Sequence, residues 1–399
     1  MKQIYLDYAA TTPVAPEVKA AMEPYFTEKF GNPSSLYAWG REARGALDEA
    51  REKVAAALGS LPDEIVFTSG ATESNNLALK GIAFLLKKSF PNKNLHIITT
   101  AIEHHSVLHV AEYLEKFGIS VTYVPVSKEG IVDPQKVADA LRDETILISL
   151  MYANNEIGTI QPIAEVSEII KEEREKRKES GNKIPIFFHT DAVQAAQYLN
   201  LNVKDLGVDL LSLTGHKFYA PKGVGILYKS SSVPILAQQQ GGGHERNLRA
   251  GTENVPYIVG LAEALEKAQG QREQESKRLT VLRDKLISGI LEEIPDVFVN
   301  GSRQNRLPNN VNICVKRIEG EGMLLKLDNL GIACSTGSAC TSAKLEPSHV
   351  LLAIGVPKEI AHGSLRFTLG KDTKDEDIDY VLEVLPKVVE ELRAFSPVR

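Results

Sequence analysis

The stretch EIVFTSGATESNNLALKGIAFLLKK, residues 64–88, decides the fold class of this chain. A short apolar run is followed by a glycine-containing turn, and apolar residues then recur at helical spacing, so the stretch predicts a strand that leads directly into a helix. The same alternation continues through the first two-thirds of the chain. Further strand-like runs are LHIITT (95–100), VTYVPV (121–126), TILISLMYA (145–153), IPIFFHTDA (184–192), VDLLSLT (208–214) and VGILYK (224–229). Continuous apolar strands between helices predict an α/β fold with a mostly parallel central sheet and helices on both faces.

The last third of the chain predicts a smaller α+β domain. A helical stretch from about Ala262 to Ile294 carries Leu279, Leu282, Leu286 and Ile290 along one face, which is typical of a packed helix. We interpret this helix as the connector between two domains. We therefore predict a large α/β domain over residues 15–262 and a small domain formed by residues 1–14 and 263–399.

Composition and charge exclude several classes of protein. The chain has 399 residues, 46 basic against 52 acidic side chains and a net charge of −6, so we expect neither a nucleic-acid nor a membrane partner. The longest apolar runs, such as Ile82–Leu86, are too short to span a bilayer, and MKQIYLDYAATTP at the start lacks the apolar region of a signal peptide. Three cysteines, an odd number, fit a reducing compartment. We expect a cytoplasmic enzyme.

The stretch LTGHKFYAPKGVG, residues 213–225, contains the strongest candidate for a chemically active lysine. Most lysines of a chain lie on its surface without a chemical role. Lys217, however, follows a buried strand, comes directly after His216 and is flanked by glycines, where a backbone can approach a ligand closely. A lysine held in such a site can form a Schiff base with an aldehyde.

If that aldehyde belongs to pyridoxal phosphate (PLP), the site also needs a carboxylate beside the pyridine nitrogen and donors for the phosphate. Asp191, at the carboxyl end of IPIFFHTDA, is suitably placed, although an aspartate there can also cap the next helix. The turn TSGATES, residues 68–74, opens a helix with Gly70, Ala71 and Thr72, and a helix start of this kind can bind phosphate.

A series of motifs then occurs in order along the chain. They are YLDYAATTP, FGNPSS, FTSGATESNNLALKG, EHHSVL, NNEIGTIQPI, HTDAVQ, TGHKFYAPKGVG, GGGHERNLRAGTEN, STGSACTS, LEPSHVL and SLRFTLG. In these motifs the chain resembles the PLP-dependent cysteine desulfurases of the NifS/IscS type, which are class V aminotransferase-like enzymes of fold-type I. The resemblance runs from about Tyr5 to Ser396.

The resemblance implies how PLP is held. Lys217 would form the Schiff base and later move the substrate α-proton, and Asp191 would pair with the pyridinium nitrogen. His104 would stack on the ring and assist proton transfer, and we prefer it to His105 because the family motif reads Glu-His. The remaining implied cofactor contacts are Ala71, Thr72, Thr214 and His216 at the phosphate, Gln194 at the phenolic oxygen and Asn155 near the same oxygen.

The resemblance also implies the substrate contacts and the assembly. Arg366 would clamp the substrate carboxylate, with Asn155 and Asn32 as further candidates at the same end. Thr252 would reach the PLP phosphate of a neighbouring subunit, so a homodimer is expected. The chain departs from the family pattern at Thr214, where serine is usual, and at Tyr37, where many relatives have histidine; the first change keeps the hydroxyl group.

The stretch CSTGSACTSAKLEPSH, residues 334–349, lies in the predicted nucleophile loop of about residues 333–346. The family chemistry needs an exposed cysteine thiolate, and Cys340 among small residues suits that role. Cys314 alternates within a strand-like run and is predicted to be a buried hydrophobic residue. Cys334 is predicted to be structural, with an accessory thiol as the alternative. We predict no metal site, because Cys334, Cys340 and His349 lack a fourth ligand and the usual spacing.

These observations predict a cysteine desulfurase that converts L-cysteine to L-alanine and leaves a persulfide on Cys340. The sulfur would pass to an acceptor protein, an iron–sulfur scaffold or another sulfur carrier. One alternative is another fold-type I PLP enzyme, such as a selenocysteine lyase or an aminotransferase. A second alternative is a non-catalytic partner in a sulfur-transfer assembly. Turnover of L-selenocysteine but not L-cysteine would favour the first, and failure to bind PLP would favour the second.

Overall fold

The computed structural model describes residues 3–336 and 347–395, so the predicted nucleophile Cys340 lies outside the described residues. The strands are β1 (Ile4–Tyr5), β2 (Ile65–Thr68), β3 (His96–Thr100), β4 (Ser120–Val124), β5 (Thr145–Ser149), β6 (Phe187–Asp191), β7 (Leu210–Thr214), β8 (Gly225–Lys229), β9 (Val297–Val299), β10 (Asn310–Val315), β11 (Ile332–Ala333) and β12 (Ser364–Thr368). The α-helices are α1 (Pro16–Met22), α2 (Pro24–Thr27), α3 (Ala38–Leu58), α4 (Ala71–Ser89), α5 (His105–Glu115), α6 (Pro134–Asp139), α7 (Ile163–Ser180), α8 (Val203–Leu206), α9 (Val255–Glu293), α10 (Gly320–Asn329), α11 (His349–Ala353), α12 (Lys358–Ala361) and α13 (Asp375–Phe395). Short 3₁₀ turns occur at Pro62–Glu64, Gly215–Lys217 and His244–Asn247.

A seven-stranded central sheet with the order β2-β8-β7-β6-β5-β3-β4 forms the larger part of the molecule. Six of its strands fall within predicted strand-like runs, and β4 begins one residue before the predicted run 121–126. The pairs β3–β4, β3–β5, β5–β6 and β6–β7 are parallel, whereas β8 runs antiparallel to both β7 and β2. The predicted α/β fold with a mostly parallel sheet is therefore confirmed.

Helices cover both faces of this sheet, because neighbouring strand residues point to opposite sides. Ile97 and Leu147 belong to an apolar cluster that contains Leu79 of α4 and Val107 of α5. The next residues along β3 and β5, Ile98 and Ile148, belong to a second cluster, which α7 and α9 also enter. A strand buried on both faces needs apolar residues at its centre, and in β3 and β5 the polar residues, such as His96 and Ser149, stand at the strand ends.

A smaller antiparallel sheet, with the order β12-β10-β9, packs with α9, α10 and α13 around a third apolar cluster. The short strands β1 and β11 pair in parallel beside it. The predicted connector helix begins earlier than expected, at Val255, where the Asn254 side chain accepts a hydrogen bond from the Tyr257 N–H group. Its second half contributes Leu279, Leu282, Leu286 and Ile290 to the third cluster. The division into two domains near residue 262 stays a prediction.

None of the helices in the described part of the chain is both long enough and apolar enough to cross a membrane.

Candidate active site

One cavity of about 670 Å³ lies where the strands β2, β3, β5, β6 and β7 end, which is the usual place for a ligand in an α/β sheet. Its volume falls within the range of about 300–1,000 Å³ typical of small-molecule pockets. The predicted site residues that line it are Ala71, Thr72, His104, Asn155, Asp191, Gln194, Thr214, His216, Lys217 and Arg366. Residues that were far apart in the sequence analysis therefore share a single site.

Lys217 lies in the 3₁₀ turn that directly follows β7. Its Nζ donates hydrogen bonds to the carbonyl oxygens of Ala9, at 2.6 Å, and Ala10, at 2.7 Å. Gln194 also donates to the Ala9 carbonyl, at 3.1 Å. The loop between β1 and α1 thus holds the lysine amine and the predicted cofactor-binding glutamine at the same wall of the cavity.

Asp191 is the last residue of β6 and is 6% exposed. Its Oδ2 accepts a hydrogen bond from the Asn75 amide at 2.8 Å, and its Oδ1 accepts one from the Val193 N–H group at 3.1 Å. The second contact closes a local turn. The alternative that Asp191 caps the next helix is wrong, because the next helix is α8 and Asn202 caps it. The Asp191 carboxylate lines the cavity.

His104 precedes α5 and acts as its N-cap: Nδ1 accepts a hydrogen bond from the Ser106 N–H group at 3.1 Å and lies 2.8 Å from the Ser106 hydroxyl. Burial lowers the pKa of His104, against the opposing effect of Asp191. The imidazole is therefore neutral near pH 7. With Nδ1 accepting, the proton is on Nε2.

His105 also lines the cavity, but its surroundings differ from those of His104. Its ring centroid lies 4.7 Å from that of His109 and 4.8 Å from that of His349. Burial, together with these neighbouring histidines, lowers the pKa of His105 to about 4. The charge of Asp191 acts on His104, which supports the choice of His104 as the cofactor-stacking residue.

The N-terminus of α4 lines the cavity where the sequence predicts a phosphate. Gly70 is the N-cap residue of α4, no side chain caps the helix there, and its φ of 154° is accessible mainly to glycine. A Cβ on Gly225 would lie 2.6 Å from the Gly70 Cα, so β8 can approach this turn only because Gly225 lacks a side chain. The first N–H groups of a helix together with its dipole favour a phosphate.

Thr214, the last residue of β7, lies beside the Gly70 turn, and His216, two residues later, lines the same cavity. Burial, with the charges of Lys217 and Lys222 nearby, lowers the pKa of His216 to about 4. His216 is therefore a neutral hydrogen-bonding group near pH 7. An uncapped helix start, a hydroxyl group and a neutral imidazole fit a phosphate monoester.

Arg366 lies on β12 of the smaller sheet and lines the same cavity, with its side chain 5% exposed. Nη1 donates to the Asn155 carbonyl at 2.8 Å, and Nη2 donates to Asp7 Oδ1 at 2.7 Å. Its Nε is buried and has no hydrogen-bond partner among the described residues. A buried guanidinium with an unused donor is suited to an incoming carboxylate.

Two predicted site residues do not line this cavity. Asn32 is exposed, and its side chain accepts a hydrogen bond from the Ser34 N–H group at 2.9 Å. Thr252 is exposed as well. The substrate role of Asn32 and the contact of Thr252 with a second subunit stay predictions.

Several residues at the cavity or directly behind it escaped the sequence analysis. Ser106, Glu156 and Ser348 line the cavity. Asn75 is buried behind the lining, where it bonds to Ser106 at 2.8 Å and supports Asp191, while Ser106 supports His104. The helical spacing of Asn75 from Ala71 did not indicate its contact with Asp191.

The two described cysteines are poor nucleophiles. Cys314 is buried on β10, and burial raises the pKa of its thiol to about 11. Burial, reinforced by Asp7, raises the pKa of Cys334 to about 12. Both remain protonated at neutral pH, which leaves Cys340 as the candidate for a reactive thiolate.

Comparison with known proteins agrees with this geometry. The family model described as Aminotransferase class-V matches residues 4–381. The cysteine desulfurase IscS of Dictyoglomus turgidum is 54% identical over 396 residues, which are 99% of this chain and 97% of that protein. Among solved structures, a NifS-like protein matches with a TM-score of 0.89 at 38% identity, covering 98% of this chain and 100% of its own. SspA in complex with cysteine matches with a TM-score of 0.78 at 36% identity, over 92% of this chain and 99% of its own. The chain therefore belongs to the aminotransferase class-V family.

Proposed function

We propose that this protein is a PLP-dependent cysteine desulfurase, which converts L-cysteine to L-alanine and retains the sulfur as a persulfide on Cys340. One observation carries the proposal: a single cavity joins the lysine Lys217, the carboxylate Asp191, the open helix start at Ala71 and the guanidinium of Arg366. These four groups match the aldehyde, ring nitrogen and phosphate of PLP and the carboxylate of an amino acid.

Different cavity residues would bind the different chemical groups of PLP. Lys217 would hold the aldehyde carbon as a Schiff base, and Asp191 would accept a hydrogen bond from the protonated ring nitrogen. His104 would lie against the ring, with Gln194 and Asn155 at the phenolic oxygen. The phosphate would take the N–H groups of Ala71 and Thr72, the Thr214 hydroxyl and His216.

When bound, PLP withdraws electrons from the α-carbon of the amino acid. Arg366 would hold the substrate carboxylate through its unused Nε, together with the amide of Asn155. Lys217 would remove the α-proton, and the neutral imidazole of His104 would hold a proton close by. The buried setting strengthens each of these polar contacts.

Cys340 would act as the nucleophile. Its thiolate attacks the substrate sulfur, so that a sulfur–sulfur bond forms as the carbon–sulfur bond breaks. The electron pair of the broken bond stays with the three-carbon fragment, which takes up protons and leaves as L-alanine. The persulfide then passes its outer sulfur to a thiol of an acceptor protein, an iron–sulfur scaffold or another sulfur carrier.

We also propose a cytoplasmic homodimer in which Thr252 reaches the PLP phosphate of the second subunit. Phe30, Leu36 and Trp39 are 60%, 89% and 59% exposed, which is unusual for large apolar side chains and supports a covered surface on this side of the molecule. The cytoplasmic location rests on the small, odd number of cysteines, which fits a reducing compartment.

Incubation of the purified protein with L-cysteine tests the proposal. We expect a yellow protein, L-alanine in solution and a mass increase of one sulfur atom on the peptide that contains Cys340. Lys217→Ala should abolish both the colour and the alanine, whereas Cys340→Ser should keep the colour and lose the persulfide. Wild-type sulfide release by Cys340→Ser in dithiothreitol would refute the assignment of the nucleophile, and turnover restricted to L-selenocysteine would refute the proposed substrate.

A further inference from the structure

Glu156 is a buried carboxyl group at the cavity for which the proposed reaction has no use. The residue is 7% exposed and follows Asn155 in the loop after β5. Burial raises the pKa of Glu156 to about 7, against the opposing effects of a hydrogen bond from Ser348 and the charge of Arg366. An acidic side chain is rarely buried without a partner that requires it.

Hydrogen bonds hold the backbone of Glu156 against β10 of the smaller sheet. Its N–H group donates to the side-chain oxygen of Asn154 at 2.9 Å. Its carbonyl oxygen accepts hydrogen bonds from the side-chain amides of Asn310, at 3.0 Å, and Asn312, at 3.1 Å, both on β10. These three buried hydrogen bonds fix the position of the Glu156 backbone, and therefore the point from which its side chain extends.

The side chain of Glu156 reaches Ser348, the N-cap residue of α11. Its Oε2 lies 2.5 Å from the Ser348 hydroxyl oxygen. That oxygen also accepts from the N–H groups of Val350, at 3.1 Å, and Leu351, at 3.3 Å. Because the hydroxyl has a single O–H group, that group donates its hydrogen bond to Glu156, while the lone pairs of the oxygen accept the hydrogen bonds that cap α11.

A second contact involves Ser335, which precedes Cys340 in the sequence, and Arg366. Ser335 and Arg366 exchange two backbone hydrogen bonds, of 3.1 Å and 2.7 Å. The Arg366 side chain in turn donates to the carbonyl of Asn155, the residue before Glu156. On one side of Cys340, Ser335 is therefore bonded to the backbone of Arg366, and on the other side Ser348 is bonded to Glu156, the residue after the Asn155 carbonyl that Arg366 binds.

We propose that Glu156 is a positioning residue, which holds Ser348, and with it the start of α11, at a fixed place relative to the substrate-carboxylate site. Fixing the flanks of a segment raises the effective concentration of its reactive group at the target. The inference rests on the function proposed above. It assigns Glu156 no contact with the reacting atoms.

Four variants test this role: Glu156→Leu, Glu156→Gln, Ser348→Asp and the double variant Glu156→Gln with Ser348→Asp. The double variant reverses the direction of the hydrogen bond, since the glutamine amide can donate to an aspartate that still caps α11. Asp133→Ala is the matched control, because Asp133 caps α6 through a 2.9 Å hydrogen bond to the Gln135 N–H group, away from the cavity. PLP content should be that of the wild type throughout.

Two measurements apply to each variant: the single-turnover rate of persulfide formation on Cys340, and amide hydrogen exchange of a peptide spanning residues 348–354. Loss of a charge-assisted hydrogen bond in Glu156→Leu, or a like-charge pair in Ser348→Asp, should lower the rate and speed the exchange by about tenfold or more. Glu156→Gln retains an acceptor and should stay within about threefold of the wild type. The double variant should recover most of the Ser348→Asp loss.

A wild-type rate and wild-type exchange in Glu156→Leu would overturn the proposal. So would a double variant that performs no better than Ser348→Asp, and this pair decides the matter if the leucine variant fails to fold. A wild-type protein that forms no alanine would instead refute the proposed function, while hydrogen exchange would still report on the Glu156–Ser348 contact.

Discussion

An Arg366→Lys substitution should raise the KM for L-cysteine by about tenfold to 150-fold, because it removes one or more charge-assisted hydrogen bonds of about 1.5–3 kcal/mol. In the structure, Nη1 and Nη2 each donate one hydrogen bond, to Asn155 at 2.8 Å and to Asp7 at 2.7 Å, and Nε bonds to none of the described residues. A lysine keeps the charge and can still pair with Asp7, but it has no planar fork with which to hold a carboxylate as well. The fold should therefore survive the change while substrate binding weakens.

Alanine formation measured against L-cysteine concentration gives KM and kcat, and absorbance gives the PLP content. Cysteamine, which lacks the carboxylate, supplies the decisive comparison: its binding, followed by the absorbance change, should differ by less than about twofold between the wild type and Arg366→Lys. Arg278→Lys is the matched control, since Arg278 also bonds to carbonyl groups, those of Thr373 at 2.7 Å and Gly370 at 2.9 Å, and does not line the cavity.

An unchanged KM for L-cysteine in Arg366→Lys would refute the reasoning. An equal loss of affinity for L-cysteine and cysteamine would refute it too, because the arginine would then act on something other than the carboxylate.

Three further predictions concern thiols and buried titratable groups. Iodoacetamide at neutral pH should label one thiol per native chain and none in Cys340→Ser, because burial raises the pKa of Cys314 and Cys334 to about 11 and about 12; rapid labelling of a second site by mass spectrometry would contradict this. Burial raises the pKa of Glu103 to about 8, so the contribution of this carboxyl to stability is present at acidic pH and is lost as pH rises. In urea unfolding, the free energy of unfolding of Glu103→Gln minus that of the wild type should grow by about 1.4 kcal/mol per pH unit between pH 5 and pH 8. Burial lowers the pKa of His189 to about 3, so the contribution of the neutral imidazole to stability is present above the unfolded pKa and is lost on acidification. Below pH 6, the free energy of unfolding should therefore fall less steeply in His189→Gln than in the wild type, by about 1.4 kcal/mol per pH unit. An unchanged slope would count against a buried neutral imidazole.

The strands of the central sheet were predictable because burial on both faces favours short, mainly apolar runs, and such runs are visible in the sequence. The start of the connector helix was not. Val255 follows a polar stretch, and the cap that begins the helix depends on how Asn254 is oriented rather than on apolar periodicity. Asp191 and Lys217 were predictable for a related reason, since polar residues that directly end a buried strand must face the edge of the sheet.

The sequence by itself determined the α/β class and the order of the seven central strands along the chain. Only the tertiary structure decided that Arg366, from the smaller sheet, meets Asn155 and Asp7 at the cavity. Only the tertiary structure decided that the buried carboxyl of Glu156 accepts a hydrogen bond from the Ser348 hydroxyl. Strand patterns are local and repeat every two residues, so they can be read along the chain. Contacts between residues separated by up to 359 positions depend on how two sheets pack, and local periodicity carries no information about that packing.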